Sequence, residues 1–183
     1  VEQATQIVVA EIETLARRVR AFSELAAEPT VTPALLDVNA AVEERLALLQ
    51  PAHPETSYER RLDTGTPAVY ASGDLVKSIL TNLLENAAEA AGTGGRVRVT
   101  TRRDGDRVAV DVHDSGPGLS AEASRTLFEP TITFKKRGMG LGLSIARKHA
   151  LLSGGDILVI PGELGGAGFR VTLPVAPPRE SAS

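Results

Sequence analysis

The chain has 183 residues, 42% of them hydrophobic and 23% charged, a balance typical of a folded globular protein rather than a disordered one. Its net charge of −3 argues against a nucleic-acid partner, and the absence of cysteine excludes disulfides and thiolate metal sites and fits a cytoplasmic protein. No apolar run approaches the roughly 18 residues that a membrane-spanning helix needs, although a full-length protein anchored to the inner membrane stays open.

Residues 1–28 predict one long helix. Its apolar residues recur with a period of about 3.5, which is typical of helices that pack lengthwise on other helices. This apolar seam consists of Val8, Ile12, Leu15, Val19, Phe22 and Ala26. We expect a partner helix from a second chain or from a preceding segment; the alternative is a helix folded back on its own domain. Prolines 29 and 33 end the helix, so residues 29–36 are predicted to be a linker.

Residues 37–176 alternate between helical and strand patterns, and residues 177–183 predict a disordered tail. Helices are predicted over 39–50, 74–91 and 142–153, and strands over 56–62, 68–70, 96–102, 108–112, 156–160 and 168–174. The two central strands form a hairpin around an Asp-Gly turn, and each has one apolar and one polar face. This pattern predicts an α+β fold: a two-layer α/β sandwich with a mixed, mostly antiparallel sheet and helices on one face.

Two asparagines lie one helical turn apart on the predicted helix 74–91. Asn82 and Asn86 fall at the border between its apolar face and solvent, with Glu85 beyond them. Such a pair offers neutral oxygen ligands to Mg²⁺ bound to phosphates. The alternative is a pair of exposed or locally bonded asparagines.

A carboxylate followed by glycines comes directly after the second hairpin strand. Asp114 is placed to accept a hydrogen bond from an exocyclic amine such as that of adenine, and Gly116 and Gly118 allow a flat ring to approach the backbone. Taken alone, this stretch is also a good turn.

Clustered glycines precede the predicted helix 142–153. Gly138, Gly140 and Gly142 would expose backbone N–H groups that favour phosphate at the start of a helix. Lys135 and Lys136 add cationic donors in a segment that has the profile of a mobile lid, with a solvated basic loop as the alternative. The spacing matches neither the dinucleotide fingerprint nor a P-loop.

In this order, four segments resemble the N, G1, F and G2 boxes of sensor histidine kinases, which belong to the ATPase superfamily shared with DNA gyrase, the Hsp90 chaperones and MutL. They are residues 82–86, 114–118, 127–130 and 138–143. The resemblance covers roughly residues 37–175, the catalytic ATP-binding domain. The first helix resembles the second helix of the family's dimerisation and phosphotransfer hairpin, in the nitrogen-regulation class.

The resemblance implies ATP and Mg²⁺ as ligands. Asp114 would bind the adenine amino group, Gly116 and Gly118 would shape the base pocket, Asn86 would hold Mg²⁺ and Asn82 would position the phosphates or the metal. The phosphates would be cradled by Gly138, Gly140, Leu141, Gly142 and Leu143, and Lys135 or Lys136 would reach the γ-phosphate.

The resemblance also implies the reaction. Gyrase-like and chaperone ATPases carry a glutamate base where this chain has Asn82, and an amide cannot take a proton, so transfer to an already nucleophilic imidazole is expected. Glu85 is the alternative base. None of His53, His113 and His149 follows the family's acceptor pattern, so this chain alone is expected to bind ATP without phosphorylating itself.

The expected partners are ATP or ADP, the missing phosphoacceptor helix, a response-regulator receiver domain that takes the phosphoryl group on an aspartate, and a second copy of the full-length protein. Two other functions compete with the kinase. One is an ATP-dependent conformational switch or pseudokinase, and the other is a hydrolytic ATPase of the gyrase type, against which Asn82 argues.

Overall fold

The computed structural model describes residues 2–129 and 141–177. The helices are α1 (Glu2–Ala26), α2 (Val38–Leu49), α3 (Gly73–Ala91), α4 (Ala121–Thr126) and α5 (Gly142–Leu152). The strands are β1 (Pro33–Leu36), β2 (Ser57–Leu62), β3 (Val69–Ser72), β4 (Arg96–Asp104), β5 (Arg107–Asp114), β6 (Asp156–Ile160) and β7 (Gly168–Pro174).

A five-stranded sheet in the order β2-β4-β5-β7-β6 forms one layer of the domain. β2 runs parallel to β4, and the other three pairings are antiparallel. Along β5, Val108, Val110 and Val112 point into the core while Asp111 and His113 lie on the opposite face. The predicted hairpin with one apolar and one polar face is therefore confirmed.

Helix α3 is the centre of the second layer and packs between α2 and α5 on the apolar face of the sheet. Its buried residues recur at helical spacing, so one side of the helix faces the sheet. These residues are Leu75, Val76, Ile79, Leu80, Leu83, Leu84, Ala87 and Ala88. A mixed, mostly antiparallel sheet covered on one face by helices is the α+β sandwich that the sequence predicts.

A second, two-stranded sheet lies beside the main one. β1, which lies in the segment predicted as a linker, pairs antiparallel with β3, with Pro33 opposite Ser72 and Leu36 opposite Val69. Pro33 begins the strand, a position where the missing N–H is tolerated. The sequence does not predict β1, because four residues, three of them exposed, carry almost no periodicity.

The apolar seam of helix α1 is not covered by the other residues that the structure describes. Val8, Ile12, Leu15, Val19 and Phe22 are between 56% and 61% exposed. Near its C-terminal end the helix contacts the domain by another side, where Ala21 and Leu25 pack against Leu141 and Ile145. Folding back therefore occurs at that end without burying the seam, and the expected partner for the seam stays a prediction. Among the described helices, none combines the length and apolarity that crossing a membrane requires.

Candidate functional site

The two asparagines of α3 lie at the edge of the core, both partly exposed. The Asn82 amide nitrogen donates to the Ser78 carbonyl oxygen at 2.9 Å. Its amide oxygen faces the start of α5, since a Cβ on Gly142 would lie 3.0 Å from it. The Asn86 side chain makes no hydrogen bond with other described residues, so its oxygen is available to a ligand.

Asp114 ends β5 on the helix-covered face of the sheet and is only 1% exposed. One carboxylate oxygen, Oδ1, accepts from the backbone N–H groups of Gly116 at 2.8 Å and Ala167 at 3.2 Å. The other oxygen, Oδ2, is buried and has no partner within the described residues. Leaving a buried carboxylate oxygen unpaired costs free energy, so this atom is suited to a donor from a ligand.

The glycines after Asp114 bring this turn against the end of α3. A Cβ on Gly116 would lie 2.4 Å from the Ala90 carbonyl oxygen, a distance that no side chain tolerates. Gly118 has a φ of 76°, a left-handed conformation that favours glycine. The carboxylate and the asparagine helix are therefore neighbours, as the sequence motifs require.

The start of α5 forms a further wall of the site. Leu141 and Leu143 have buried side chains, so any contact with phosphates falls to their backbone groups and to Gly142. The first N–H groups of the helix carry its positive dipole end. Gly138, Gly140, Lys135 and Lys136 lie outside the described residues.

A cleft of about 480 Å³ opens between α1, α3 and the start of α5. Asn82, Glu85 and Gly142 lie on its wall. Its basic residues are Arg17, Arg20, Arg45 and Lys77. Glu24 and Asp74 also line it, and Arg45 and Lys77 are paired with Glu44, so the cleft joins Asn82 to a mixed set of charged side chains.

Glu85 has a raised pKa in this position. Burial beneath neighbouring groups raises it most and the Glu89 carboxylate adds to the rise, although His53 and Arg17 act in the opposite direction. Glu85 still has an exposed surface, so solvent screens part of these effects. Its role as the alternative base stays a prediction.

None of the three histidines belongs to α1. His53 follows a 3₁₀ turn, and His113 and His149 are 1% and 3% exposed. His149 donates through Nδ1 to Ser78 Oγ at 2.9 Å, since the Ser78 hydroxyl proton goes to Glu24. Among residues 2–129 and 141–177, no three His, Cys, Asp or Glu side chains converge as a metal site.

The sandwich fold, the open carboxylate at a strand end and the glycine turns beside an asparagine helix together define an ATP-binding catalytic domain. The chain belongs to the family described as "Histidine kinase-, DNA gyrase B-, and HSP90-like ATPase", whose model matches residues 71–177. The sequence-based identification of a histidine kinase ATPase core is thereby confirmed.

Two similar proteins are a nitrogen regulation protein and a sensor histidine kinase. The chain is 32% identical to the nitrogen regulation protein NtrY of Azorhizobium caulinodans, over 97% of this chain and 24% of that protein. It is 33% identical to the sensor histidine kinase ZraS of Escherichia coli O157:H7, over 94% of this chain and 38% of that protein. The chain thus spans about a quarter to two fifths of the length of these relatives.

Solved structures share the fold. The catalytic domain of the histidine kinase ThkA, in a nucleotide-free form, has a TM-score of 0.72 at 30% identity over 78% of this chain and 95% of that one. ThkA in complex with the response regulator protein TrrA has a TM-score of 0.80 at 27% identity, over 95% of this chain and 51% of that one. The second match extends over nearly all of this chain, including α1.

Proposed function

We propose that this chain binds ATP with Mg²⁺ and transfers the γ-phosphoryl group to a histidine of another segment or chain, as the catalytic core of a two-component sensor histidine kinase. The proposed boundaries are 1–28 for the hairpin helix, 29–36 for the linker and 37–176 for the catalytic domain. The observation that carries the proposal is the buried, unpartnered Oδ2 of Asp114.

Asp114 recognises the base. Its Oδ1 is held by two backbone N–H groups, so the carboxylate cannot rotate freely, and Oδ2 is left to accept from the adenine amino group. Gly116 and Gly118 supply the flat wall of the base pocket. A purine with a carbonyl oxygen instead of the amine would meet this carboxylate as acceptor against acceptor, so the site favours adenine.

Asn86 and Asn82 contribute to binding of the metal and the phosphates. Asn86 would hold Mg²⁺ through its unpartnered amide oxygen, and Asn82 would orient the metal or the phosphates beside Gly142. Bound Mg²⁺ would neutralise the charge that develops on the transferring phosphoryl group. Gly138, Gly140, Leu141, Gly142 and Leu143 would contact the phosphates, and Lys135 or Lys136 the γ-phosphate.

The acceptor is an imidazole, which needs no strong base. The Asn82 amide cannot remove a proton, and a neutral imidazole nitrogen attacks with its own lone pair. His113 and His149 are buried and His53 follows the turn after α2, so none of them is an exposed helical histidine followed by an acidic residue, as the acceptor pattern requires. The acceptor helix would instead pack on the exposed seam of α1.

The same proposed kinase function implies further partners. ThkA forms a complex with a response regulator, and we propose a receiver domain as the partner that takes the phosphoryl group from this kinase. The seam of α1 would pair in a homodimer of the full-length protein. The domain itself would act in the cytoplasm, where ATP is available.

Calorimetry tests nucleotide binding first. ADP titrated into the chain should bind more tightly with Mg²⁺ than with EDTA, and Asn86→Ala should reduce that difference while leaving metal-free binding almost unchanged. No binding of ADP under either condition would contradict the proposal.

Phosphotransfer is tested separately. The chain is mixed with γ-labelled ATP and a helical hairpin that carries a histidine followed by an acidic residue. We expect acid-labile, base-stable label on the hairpin and none on the chain alone. Nucleotide binding with no label on any hairpin would favour the conformational switch.

A further inference from the structure

The loop between β6 and β7 holds the end of β5 from both faces of the sheet. We call residues 161–167 the strap. In the plane of the sheet, the Gly166 N–H donates to the Asp114 carbonyl oxygen at 3.1 Å, and the Asp114 N–H donates to the Ala167 carbonyl oxygen at 3.0 Å. The Ala167 N–H also donates to Asp114 Oδ1 at 3.2 Å. One of the two bonds that fix the carboxylate therefore comes from the strap.

On the other face the strap is held by a buried histidine. The Glu163 N–H donates to His113 Nδ1 at 3.3 Å. Because Nδ1 accepts this bond, the ring proton lies on Nε2, which is 4.0 Å from the Glu163 carboxylate. His113 is one residue before Asp114, so adjacent side chains of β5 fasten the same strap on opposite faces.

An ion-pair chain supports the histidine side of the strap. Arg98, opposite His113 in the sheet register, pairs through Nη1 with Glu163 at 3.1 Å and through Nε with Glu59 at 2.8 Å. The Glu59 carboxylate holds the pKa of Arg98 above its usual value, with Glu163 adding to it. The guanidinium is mostly covered, with 13% of its side chain exposed, so its direction is fixed.

The strap and the first residue of β7 pack closely against the side chains of Asp114 and His113. A Cβ on Gly166 would lie 2.2 Å from Asp114 Oδ1, and a Cβ on Gly168 would lie 2.9 Å from His113 Nδ1. Backbone and carboxylate are therefore in direct contact. A displacement of the strap by a few tenths of an ångström must change the direction of the Asp114 carboxylate.

We propose that His113 is a positioning residue for base recognition. By accepting from Glu163 it fixes the strap, and the strap, through Ala167, fixes Oδ1 so that Oδ2 points to the exocyclic amine of the base. The inference rests on the proposed nucleotide-binding function and adds a specificity determinant on the far face of the sheet. A histidine that only fills space would affect stability and leave base selectivity unchanged.

The test compares two substitutions of His113. His113→Leu keeps apolar volume but removes the acceptor, whereas His113→Asn places an amide oxygen where Nδ1 accepts. Affinities for ADP and inosine diphosphate, which lacks the amine, are measured by calorimetry. We expect His113→Leu to weaken the binding of ADP roughly 3- to 10-fold, which corresponds to the free energy of one hydrogen bond. The binding of inosine diphosphate should weaken by less than about twofold. His113→Asn should restore most of the preference for ADP.

Each outcome decides a different question. If the wild type binds neither nucleotide, the proposed function fails. If it prefers ADP and His113→Leu has the same ADP-to-inosine-diphosphate ratio, the positioning role is wrong. The positioning role is also wrong if His113→Asn and His113→Leu reduce the preference for ADP over inosine diphosphate equally, because the hydrogen-bond acceptor would then not matter.

A surface variant covers the case in which His113→Leu does not fold. Glu163→Ala removes the ion pair with Arg98 from a side chain that is 59% exposed, so folding should survive. We expect a smaller reduction of the same ratio, with faster amide exchange at Gly166 and Ala167. An unchanged ratio with unchanged exchange would refute the role of the strap.

Discussion

Replacing Asp114 by asparagine tests base recognition most directly. Asparagine can keep a carbonyl oxygen where Oδ1 accepts from Gly116 and Ala167, at 2.8 and 3.2 Å, so the local fold should persist. The amide nitrogen of the asparagine then occupies the position of Oδ2. Its N–H donor faces the amino group of adenine, which is also a donor, so the hydrogen bond is lost. A hydrogen bond to a charged acceptor contributes about 1.5–3 kcal/mol, so ADP affinity should fall about 10- to 150-fold.

The matched control is another aspartate of the same strand. Asp111 lies on the opposite face and forms a bidentate pair with Arg170, at 2.7 Å for both contacts. Asp111→Asn should lower the free energy of unfolding, because it leaves the guanidinium without its anionic partner. Its ADP affinity should stay within about twofold of the wild type, since the two sites share no contact.

Calorimetry gives the two affinities, and denaturant unfolding gives the two stabilities. The reasoning is refuted if Asp114→Asn binds ADP as tightly as the wild type. It is refuted equally if both variants lose affinity in proportion to their loss of stability, because the effect would then come from the fold and not from the open oxygen.

Two further predictions concern the glycine turn and the buried histidine of α5. Gly116→Ala places a Cβ 2.4 Å from the Ala90 carbonyl oxygen, so unfolding in urea should show a loss of about 1–3 kcal/mol together with weaker ADP binding, whereas Gly73→Ala, with no atom within 4 Å, should be neutral or stabilising. His149 has a lowered pKa, chiefly through burial, with Lys148 lowering it further and Glu24 opposing. Because the unfolded chain binds the proton more readily, stability should be full above the unfolded pKa of about 6.5 and should fall as pH decreases below it. His149→Asn keeps a donor toward Ser78 but does not titrate, so its stability between pH 7.5 and 5.5 should have a smaller slope; equal slopes would show that His149 is not responsible.

Much of the fold follows from local patterns in the sequence. Alternating valines in β4 and β5 specify which face of the sheet is covered, because a shift by one residue would expose all of them. The spacing of Asn82 and Asn86 places both on one border of α3. The position of Asp114 at the end of an apolar strand face also follows from alternation, since it continues the inward series of Val110 and Val112.

Other features depend on contacts that no local pattern encodes. β2 pairs parallel to β4 across the intervening α3, so the order of the sheet is a property of the whole chain. The contact of His113 with the strap joins residues 50 positions apart. Ala21 is a small residue outside the apolar seam of α1. The sequence pattern therefore does not indicate that Ala21, and not the seam, contacts the domain. The sequence therefore predicts the side chains of the candidate site better than it predicts the contacts that position them.

The junction between α1 and the domain is small and partly polar, and this limits what α1 can do to the site. Ser78 joins three helices: its hydroxyl donates to Glu24 of α1 at 3.1 Å and accepts from His149 of α5, and its carbonyl accepts from Asn82. If α1 tilts away, the exposed Glu24 regains water, so that bond contributes about 1 kcal/mol or less. The Asn82 bond lies within α3 and is unaffected. The other contacts at the junction hold α1 to α5: Lys148 donates to the Leu25 and Ala27 carbonyl oxygens, and Ala21 and Leu25 pack against Leu141 and Ile145. A tilt of α1 must therefore break these contacts with α5, while the asparagine border within α3 keeps its geometry.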